Sequence, residues 1–232
     1  MKITWLGQAG LLFETDGKVI LLDPYLSDSV ERIEPHNRRR VPVDPRFLSL
    51  KPDLILLTHN HLDHTDPETL CHYLGEDSAV TVLASGNAWE NVRRRFGGIK
   101  NNYVLFNRGT EWTEGNGNLH FRAVRAVHSD DRAIGFLMEA EGRTYYITGD
   151  TLYDARIFDD LPKHVDAVFL PVNGVGNNMN MTDGARFCER IGAVAVPLHC
   201  GLFDSLDLAA FPYPNKVVPQ FYREIPLEKI RI

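Results

Sequence analysis

Cysteine is scarce in this chain of 232 residues, which has three, at positions 71, 188 and 200. An odd number of cysteines at such wide spacings predicts neither a disulfide framework nor a cysteine-type zinc site. Unpaired thiols are consistent with a reducing compartment. We interpret Cys200 as a small core residue, with a role at a functional site as the alternative.

Long hydrophobic runs are also missing. Hydrophobic residues make up 44% of the chain, yet no apolar stretch approaches the roughly 20 residues that span a bilayer. The N-terminal stretch meets Gly7, Gln8 and Glu14 too early to form a signal-peptide core. We therefore expect no membrane association and a cytoplasmic location.

Positive charge is in deficit. The chain has 25 Lys and Arg against 31 Asp and Glu, which gives a formal net charge of −6. This balance argues against a general nucleic-acid binder. The basic stretches 37–40 and 93–95 are more typical of solvated surface than of a binding face. We expect no nucleic-acid partner, and the sequence leaves both a monomer and a homo-oligomer open.

The hydrophobic pattern predicts a single α/β domain over residues 1–232. Amphipathic stretches predict helices at 66–74, 87–96 and 183–191, the last behind Thr182 as N-cap. Residues 25–52 are polar and aperiodic, which indicates a functional loop. Such a mixture favours two packed sheets with helices on their outer faces, a four-layer αββα sandwich. Short apolar runs predict ten strands, at 2–6, 11–15, 18–23, 53–58, 79–84, 119–127, 133–140, 143–148, 166–172 and 193–198.

The sequence does contain a dense group of side chains that can bind a metal ion. Residues 58–66 read THNHLDHTD and directly follow the apolar run 54–57. In an extended segment His59 and His61 project to the same side and can chelate one ion, while Asp63 and His64 can face a second.

Three more candidate ligands come just past the ends of apolar strands, namely His128, Asp150 and His199. Strand ends along one edge of a sheet lie close together, so these residues can converge with the motif. A structural zinc site is the alternative, but such sites are usually closed by four ligands rich in cysteine. Seven His and Asp candidates suit two divalent ions instead. Nitrogen and oxygen ligands accept zinc or manganese, and also iron.

This order of motifs resembles the metallo-β-lactamase-fold hydrolases, whose fold is the αββα sandwich. The resemblance implies that His59, His61 and His128 bind the first metal. It implies Asp63, His64 and His199 for the second metal, Asp150 as the bridge, and Asp23 as a residue that orients a ligand.

A narrower resemblance is carried by VPVDP at 41–45, TGDTLY at 148–153, and the stretches 166–174 and 181–199. They look like the L-ascorbate-6-phosphate lactonase branch, although this chain is shorter. That branch implies a small anionic substrate, a phosphorylated sugar lactone, and leans towards manganese. A phosphodiester is the alternative substrate.

Such a site supports hydrolysis, because a metal lowers the pKa of bound water from 15.7 towards about 7. We expect Asp63 and Asp150 to be catalytic, with Asp63 carrying the proton. A non-catalytic sensor or scaffold is the alternative of a different class, but no ligand position is lost. Loops around the metals supply the candidate substrate-binding residues, which are Asn173, Asn178, Asn180, Arg38, Arg39, Arg40 and Tyr153.

Each of these substrate-binding candidates has a plainer interpretation. The asparagines, together with Asn177, also suit ordinary turns. The three arginines also suit a solvated charge run, and Tyr153 also suits the start of a helix. For Gln8 we favour packing at a hairpin.

Overall fold

The computed structural model describes residues 1–97, 100–115 and 117–227. Its first sheet comes from the N-terminal half of the chain. The first three strands form an antiparallel meander, and the third to sixth strands run parallel. The strands, in both chain and spatial order, are β1 (Lys2–Gly7), β2 (Gly10–Thr15), β3 (Lys18–Leu22), β4 (Leu54–Leu57), β5 (Thr81–Ala84) and β6 (Asn102–Leu105).

The second sheet repeats this plan in the other half of the chain. Its first four strands are antiparallel neighbours, and the last three run parallel. The strands are β7 (Glu111–Glu114), β8 (Leu119–Arg125), β9 (Ile134–Ala140), β10 (Arg143–Ile147), β11 (Ala167–Pro171) and β12 (Val194–Leu198).

Four α-helices lie in the described residues: α1 (Ser29–Ile33), α2 (Pro67–Leu70), α3 (Gly86–Phe96) and α4 (Met181–Ile191). Short 3₁₀ helices span Pro45–Ser49, Ala155–Asp160 and Leu208–Ala210. The predicted N-cap of α4 was wrong by two positions. Asn180 caps the helix, because its side chain accepts a hydrogen bond from the backbone N–H of Asp183.

Side-chain alternation on the strands produces the layers. On β4, Leu54 and Leu56 join the core between the two sheets, while Ile55 and Leu57 face a second core with Ala88 and Val92 of α3.

Contacts across the layers complete the sandwich. Phe13 of the first sheet meets Phe169 of the second with ring centroids 6.3 Å apart. Helix α4 packs closely on β11 at Gly184, where a Cβ would lie 3.5 Å from Leu170 Cδ1 of the strand and 3.0 Å from Val172 Cγ1 just after it. The order helix, sheet, sheet, helix confirms the predicted αββα sandwich.

All ten predicted strands are present, with ends shifted by a few residues. The prediction missed β6 and β7, which are edge strands with half-exposed side chains and little apolar pattern. The aperiodic segment 25–52 contains helix α1 and the 3₁₀ helix Pro45–Ser49. No helix among the described residues has the length and apolarity needed to cross a membrane.

Candidate metal centre

One cluster of imidazoles contains His59, His61 and His128, whose ligand atoms lie within 4.8 Å of one another. His61 Nδ1 is 3.1 Å from His128 Nε2. The Nε2 atom of His59 is buried and has no hydrogen-bond partner among the described residues. Three nitrogen atoms therefore converge on one point.

A second cluster lies beside it and contains Asp63, His64 and His199, again within 4.8 Å of one another. The Nε2 atoms of His64 and His199 are 3.2 Å apart. Asp63 Oδ2 lies 3.4 Å from His199 Nε2. This cluster stands at the ends of both sheets, because His64 follows β4 and His199 follows β12.

Asp150 lies between the two clusters. Its Oδ2 atom is 3.2 Å from His199 Nε2, 3.4 Å from His64 Nε2 and 4.0 Å from His128 Nε2. The other oxygen, Oδ1, is buried and unpartnered among the described residues. A carboxylate that bridges two ions must lie close to both clusters, and Asp150 meets this requirement.

The donor atoms fit divalent ions. Metal–nitrogen bonds of 2.0–2.1 Å in a tetrahedron separate neighbouring ligand atoms by roughly 3.3–3.4 Å. His64, His199 and Asp150 show 3.2, 3.4 and 3.2 Å between their donor atoms. Buried polar atoms are rarely left unsatisfied, and an ion would satisfy both His59 Nε2 and Asp150 Oδ1.

Asp23 makes the orienting contact expected of it. Its Oδ2 atom is 2.8 Å from His64 Nδ1, and its Oδ1 atom accepts a 2.8 Å hydrogen bond from the backbone N–H of Thr58. A carboxylate on Nδ1 keeps the proton there and leaves Nε2 free as a ligand. Asp23 is fully buried and holds a left-handed φ of 41°. Such strained positions occur where a site demands them.

Gln8 belongs to the site, although the sequence favoured a packing role for it. Its Nε2 atom donates a 3.0 Å hydrogen bond to Asp63 Oδ2 and lies 3.3 Å from His199 Nδ1. Its backbone carbonyl accepts a 3.1 Å hydrogen bond from the N–H of His199. The available sequence signal was a polar residue at the turn between two apolar strands.

The asparagine-rich loop 173–180 holds the ligands from the other side. The amide of Asn173 lies 3.1 Å from His199 Nδ1, and the side chain of Asn178 donates a 2.8 Å hydrogen bond to Asp150 Oδ2. The backbone carbonyl of Asn177 lies 3.3 Å from His128 Nδ1. When Nε2 of a histidine binds a metal, Nδ1 carries the proton and donates to such an oxygen.

Comparison with known proteins identifies the family of this chain. The beta-lactamase superfamily domain matches residues 18–204. A UPF0173 metal-dependent hydrolase of Flavobacterium johnsoniae is 32% identical over 192 residues, which cover 78% of this chain and 75% of the relative. Another, of Geobacillus thermodenitrificans, is 30% identical over 223 residues, with 88% and 87% covered.

The chain belongs to the UPF0173 metal-dependent hydrolase family. Its fold is similar to that of the metallo-beta-lactamase fold protein YhfI from Bacillus subtilis, with a TM-score of 0.71, 16% identity, and 96% of this chain and 98% of that one covered. The chain is therefore a metal-dependent hydrolase of the metallo-β-lactamase superfamily.

The histidines and carboxylates of the candidate metal centre shift one another's pKa values. Burial alone would lower the pKa of His64, but Asp150, Asp63 and Asp23 raise it well above its ordinary value. Against the same effect of burial, Asp150 and Asp63 raise the pKa of His199 to about 10. Desolvation would raise the pKa values of Asp63 and Asp150, yet His64 and His199 hold both below the usual range.

His59 and His128 behave differently from the other pair. Burial lowers the pKa of His59 well below its ordinary value and also lowers that of His128. A low pKa favours the neutral imidazole, which is the form that binds a metal, whereas His64 and His199 would release a proton when an ion binds.

A cavity of about 440 Å³ opens over the ligands. A larger groove of about 640 Å³ runs past His120 and Glu141, but the ligand clusters face the smaller one. The residues that line the smaller cavity are Gln8, Val30, Ile33, Glu34, Asn37, His61, Leu62, Asp63, Asp150, Asn173, Val175, Gly176, Asn178, His199, Phe203 and Asp204.

The three arginines predicted to bind substrate are not among the described lining residues. Arg39 is buried and donates to the carbonyl of Tyr25 and the hydroxyl of Tyr222, at 3.0 and 2.8 Å. Its guanidinium therefore ties the segment 25–52 to the C-terminal part of the chain. Arg38 is exposed, with Nε 3.9 Å from a carboxylate oxygen of Glu31, and Arg40 is exposed.

Tyr153 and Asn180 have structural contacts of their own, and Cys200 is a buried thiol. Tyr153 packs against Phe158 and Phe187, with ring centroids 5.9 and 6.0 Å away, and precedes a 3₁₀ helix. Asn180 is used as the α4 cap. Burial raises the pKa of the Cys200 thiol to about 12, which keeps it protonated and unreactive.

Proposed function

We propose that this metal-dependent hydrolase holds two divalent ions and opens a small ester, with a lactone as the first candidate. The observation that supports two ions is the location of Asp150 Oδ2, within 4.0 Å of His128 Nε2 on one side and 3.2 Å of His199 Nε2 on the other. A centre for one ion would leave three of the seven donors unused.

His59, His61 and His128 would hold one ion, and Asp63, His64 and His199 the other, with Asp150 shared. Two ions bound there supply a hydroxide nucleophile at neutral pH and a Lewis acid for the carbonyl oxygen. Zinc and manganese both suit these donors, and so does iron.

Asp63 is suited to the proton transfer. It is the half-buried carboxylate at the edge of the cavity, and Gln8 fixes its Oδ2 atom with a 3.0 Å hydrogen bond. A carboxylate fixed in this way accepts the proton of the attacking water and returns it to the leaving alkoxide. Asp150 keeps its place through Asn178 while the ester bond breaks.

The substrate is the finer part of the proposal. A phosphorylated sugar lactone of the ascorbate-6-phosphate type is supported by the sequence resemblance alone, and a phosphodiester likewise. Among the described residues that line the cavity there is no lysine or arginine to pair with a phosphate. The lining therefore offers no side-chain cation for a phosphate that lies away from the reacting bond, and we place the unphosphorylated carboxylic ester first.

The test compares the purified protein in three forms, namely metal-loaded, chelator-stripped, and carrying Asp150→Ala. The loaded form is prepared with zinc, manganese or iron in turn, and every form is assayed with γ-butyrolactone, glucono-δ-lactone and bis(p-nitrophenyl) phosphate. We expect lactone opening by the loaded wild type alone. If nitrophenol is released from bis(p-nitrophenyl) phosphate faster than acid is formed from either lactone, the phosphodiesterase is favoured. Tight metal binding without turnover of any of the three would favour the sensor or scaffold.

A further inference from the structure

We infer that the ester carries an uncharged aliphatic chain, which lies against one wall of the metal-centre cavity, and no phosphate group. This inference rests on the proposed function and names the substrate class for it. The observation behind it is an apolar surface that lines the same cavity as the metal ligands. The apolar wall, as we call it, consists of Val30, Ile33, Leu62, Val175 and Phe203.

Two members of the apolar wall are exposed where burial would be expected. Ile33 is 72% exposed and Val175 is 66% exposed, the two highest values among the large apolar side chains described. Single exposed apolar residues are ordinary on a surface. Two that line the same cavity as the metal ligands, together with Val30, Leu62 and Phe203, give this cavity an apolar lining, which is typical of a ligand-binding site.

The apolar wall is supported from behind. Phe203 meets Tyr25 edge to face, with ring centroids 5.7 Å apart, and Val30 packs with Tyr25 and Leu202 in one buried cluster. Arg39 donates to the carbonyl of Tyr25 and covers its ring at 5.2 Å. A surface fixed in this way exists before the substrate arrives, so little ordering is needed on binding.

The position of Val175 is also fixed. It lies in the loop that Asn173 and Asn180 close by pairing as a β-bridge, and Gly174 N–H donates a 3.0 Å hydrogen bond to the carbonyl of Met179. This is the loop that also braces His199 and Asp150. A substrate that contacts Val175 would therefore contact the same loop that holds His199 and Asp150 in place.

Charge at the cavity opposes a phosphate. Apart from the candidate metal ligands, the charged residues among the described lining are Glu34 and Asp204. Asp204 Oδ1 accepts hydrogen bonds from the N–H groups of Gly201 and Leu206, at 2.8 and 2.9 Å, which fixes this carboxylate at the cavity. Like charges placed together disfavour binding, whereas an aliphatic chain meets no such repulsion.

The first measurement is a chain-length series on the metal-loaded protein. We expect kcat/KM to rise from γ-butyrolactone through γ-hexanolactone to γ-octanolactone, by about fourfold for each methylene that becomes buried. The corresponding hydroxy acids, titrated calorimetrically, should bind more tightly in the same order. Glucono-δ-lactone should be a better substrate than its 6-phosphate, because the phosphate faces Glu34 and Asp204.

Variants assign these effects to the wall. Ile33→Ser and Val175→Ser should each lower the ratio of kcat/KM between γ-octanolactone and γ-butyrolactone, and Glu34→Lys should narrow the gap between glucono-δ-lactone and its phosphate. Val218→Ser is the matched control, because Val218 is 38% exposed and does not line the cavity. It should leave the ratio unchanged.

The outcomes separate the two proposals. Lactone opening with no dependence on chain length, or with preference for the phosphorylated lactone, overturns the aliphatic substrate and leaves the hydrolysis of esters standing. No lactone opening, but tighter binding of the longer hydroxy acids, overturns the proposed reaction and keeps the aliphatic ligand. A ratio that falls as much in Val218→Ser as in Val175→Ser overturns the assignment to the wall.

Discussion

Asn178 donates a 2.8 Å hydrogen bond from Nδ2 to Oδ2 of Asp150, the oxygen that lies between the two ligand clusters. The donor comes from the loop after β11 and the acceptor from the end of β10. Both residues are at most 5% exposed. The position of Asp150 is thus set by a neighbouring strand connection as well as by the segment that carries Asp150.

The first prediction is that Asn178→Ala weakens metal binding by about 10–100-fold, the usual effect of losing a group that orients a ligand. Competition with a chromogenic chelator measures it. Asn118→Ala is the control, because it removes a 2.9 Å Asn–Asp hydrogen bond at Asp16 on the exposed surface. Equal metal affinities of Asn178→Ala and the wild type would show that Asn178 does not orient Asp150.

The second prediction concerns the number of ions. Elemental analysis of the loaded protein should find close to two divalent ions per chain, and Asp150→Ala should lose both metal content and activity because a shared ligand is gone. Asp23→Ala should keep the ligands and weaken affinity by about 10–100-fold. One ion per chain at saturating metal would contradict the dinuclear centre.

The third prediction is that Gln8→Leu lowers affinity for the ion near Asp63 and leaves the other ion in place. The variant keeps the side-chain size but removes the donor to Asp63 Oδ2. Stepwise metal titration should therefore separate into a tight and a weakened step. A uniform loss at both steps would instead indicate a general disturbance of the turn between β1 and β2.

Much of the site was predictable because its pattern is local. His59, His61, Asp63 and His64 sit in one short motif, and the remaining ligand candidates each follow an apolar strand. The structure brings all seven candidates together. Parallel strands end at a common edge, so the αββα layering and the convergence of these residues follow from the same pattern.

The contacts that the sequence did not reveal depend on tertiary packing. Gln8 reaches Asp63 across 55 positions, and Arg39 reaches Tyr222 across 183. A glutamine or an arginine in the sequence does not show whether its side chain will hold another residue in place or lie on the surface. The turn propensity of Asn178 was equally consistent with an ordinary loop. Cytoplasmic location, oligomeric state and the absence of nucleic-acid partners stay predictions.

The fourth prediction concerns pH. The side-chain hydrogen bond from Arg108 holds the pKa of Asp160 below its usual range, although burial opposes this. A lowered folded-state pKa stabilises the fold above the unfolded value of about 3.9, and that contribution is lost as pH falls below it. Asp160→Asn should cost on the order of 1 kcal/mol at pH 7 and less at pH 3. Urea unfolding at both values measures this, and a larger cost at pH 3 would contradict it.

The last prediction uses two glycines with similar backbone conformations. Gly149 and Gly142 have φ values of 61° and 73°. A Cβ on Gly149 would lie 2.9 Å from both Ile134 O and Thr58 Cβ, whereas nothing lies within 4 Å of a Cβ on Gly142. Gly142→Ala should therefore cost only the left-handed backbone strain, about 1–2 kcal/mol.

Gly149→Ala should cost about 1–3 kcal/mol more than this control, because the added methyl overpacks a closed interior. It should also weaken metal binding. Thr58 precedes His59 and Gly149 precedes Asp150, so separating the two segments moves His59 of the first cluster relative to Asp150. Urea unfolding of the metal-free variants isolates the packing cost, and chelator competition on the loaded proteins measures the effect on the site. Equal losses of stability in the two variants would show that the approach of Gly149 to Thr58 is not what fixes the spacing of the ligands.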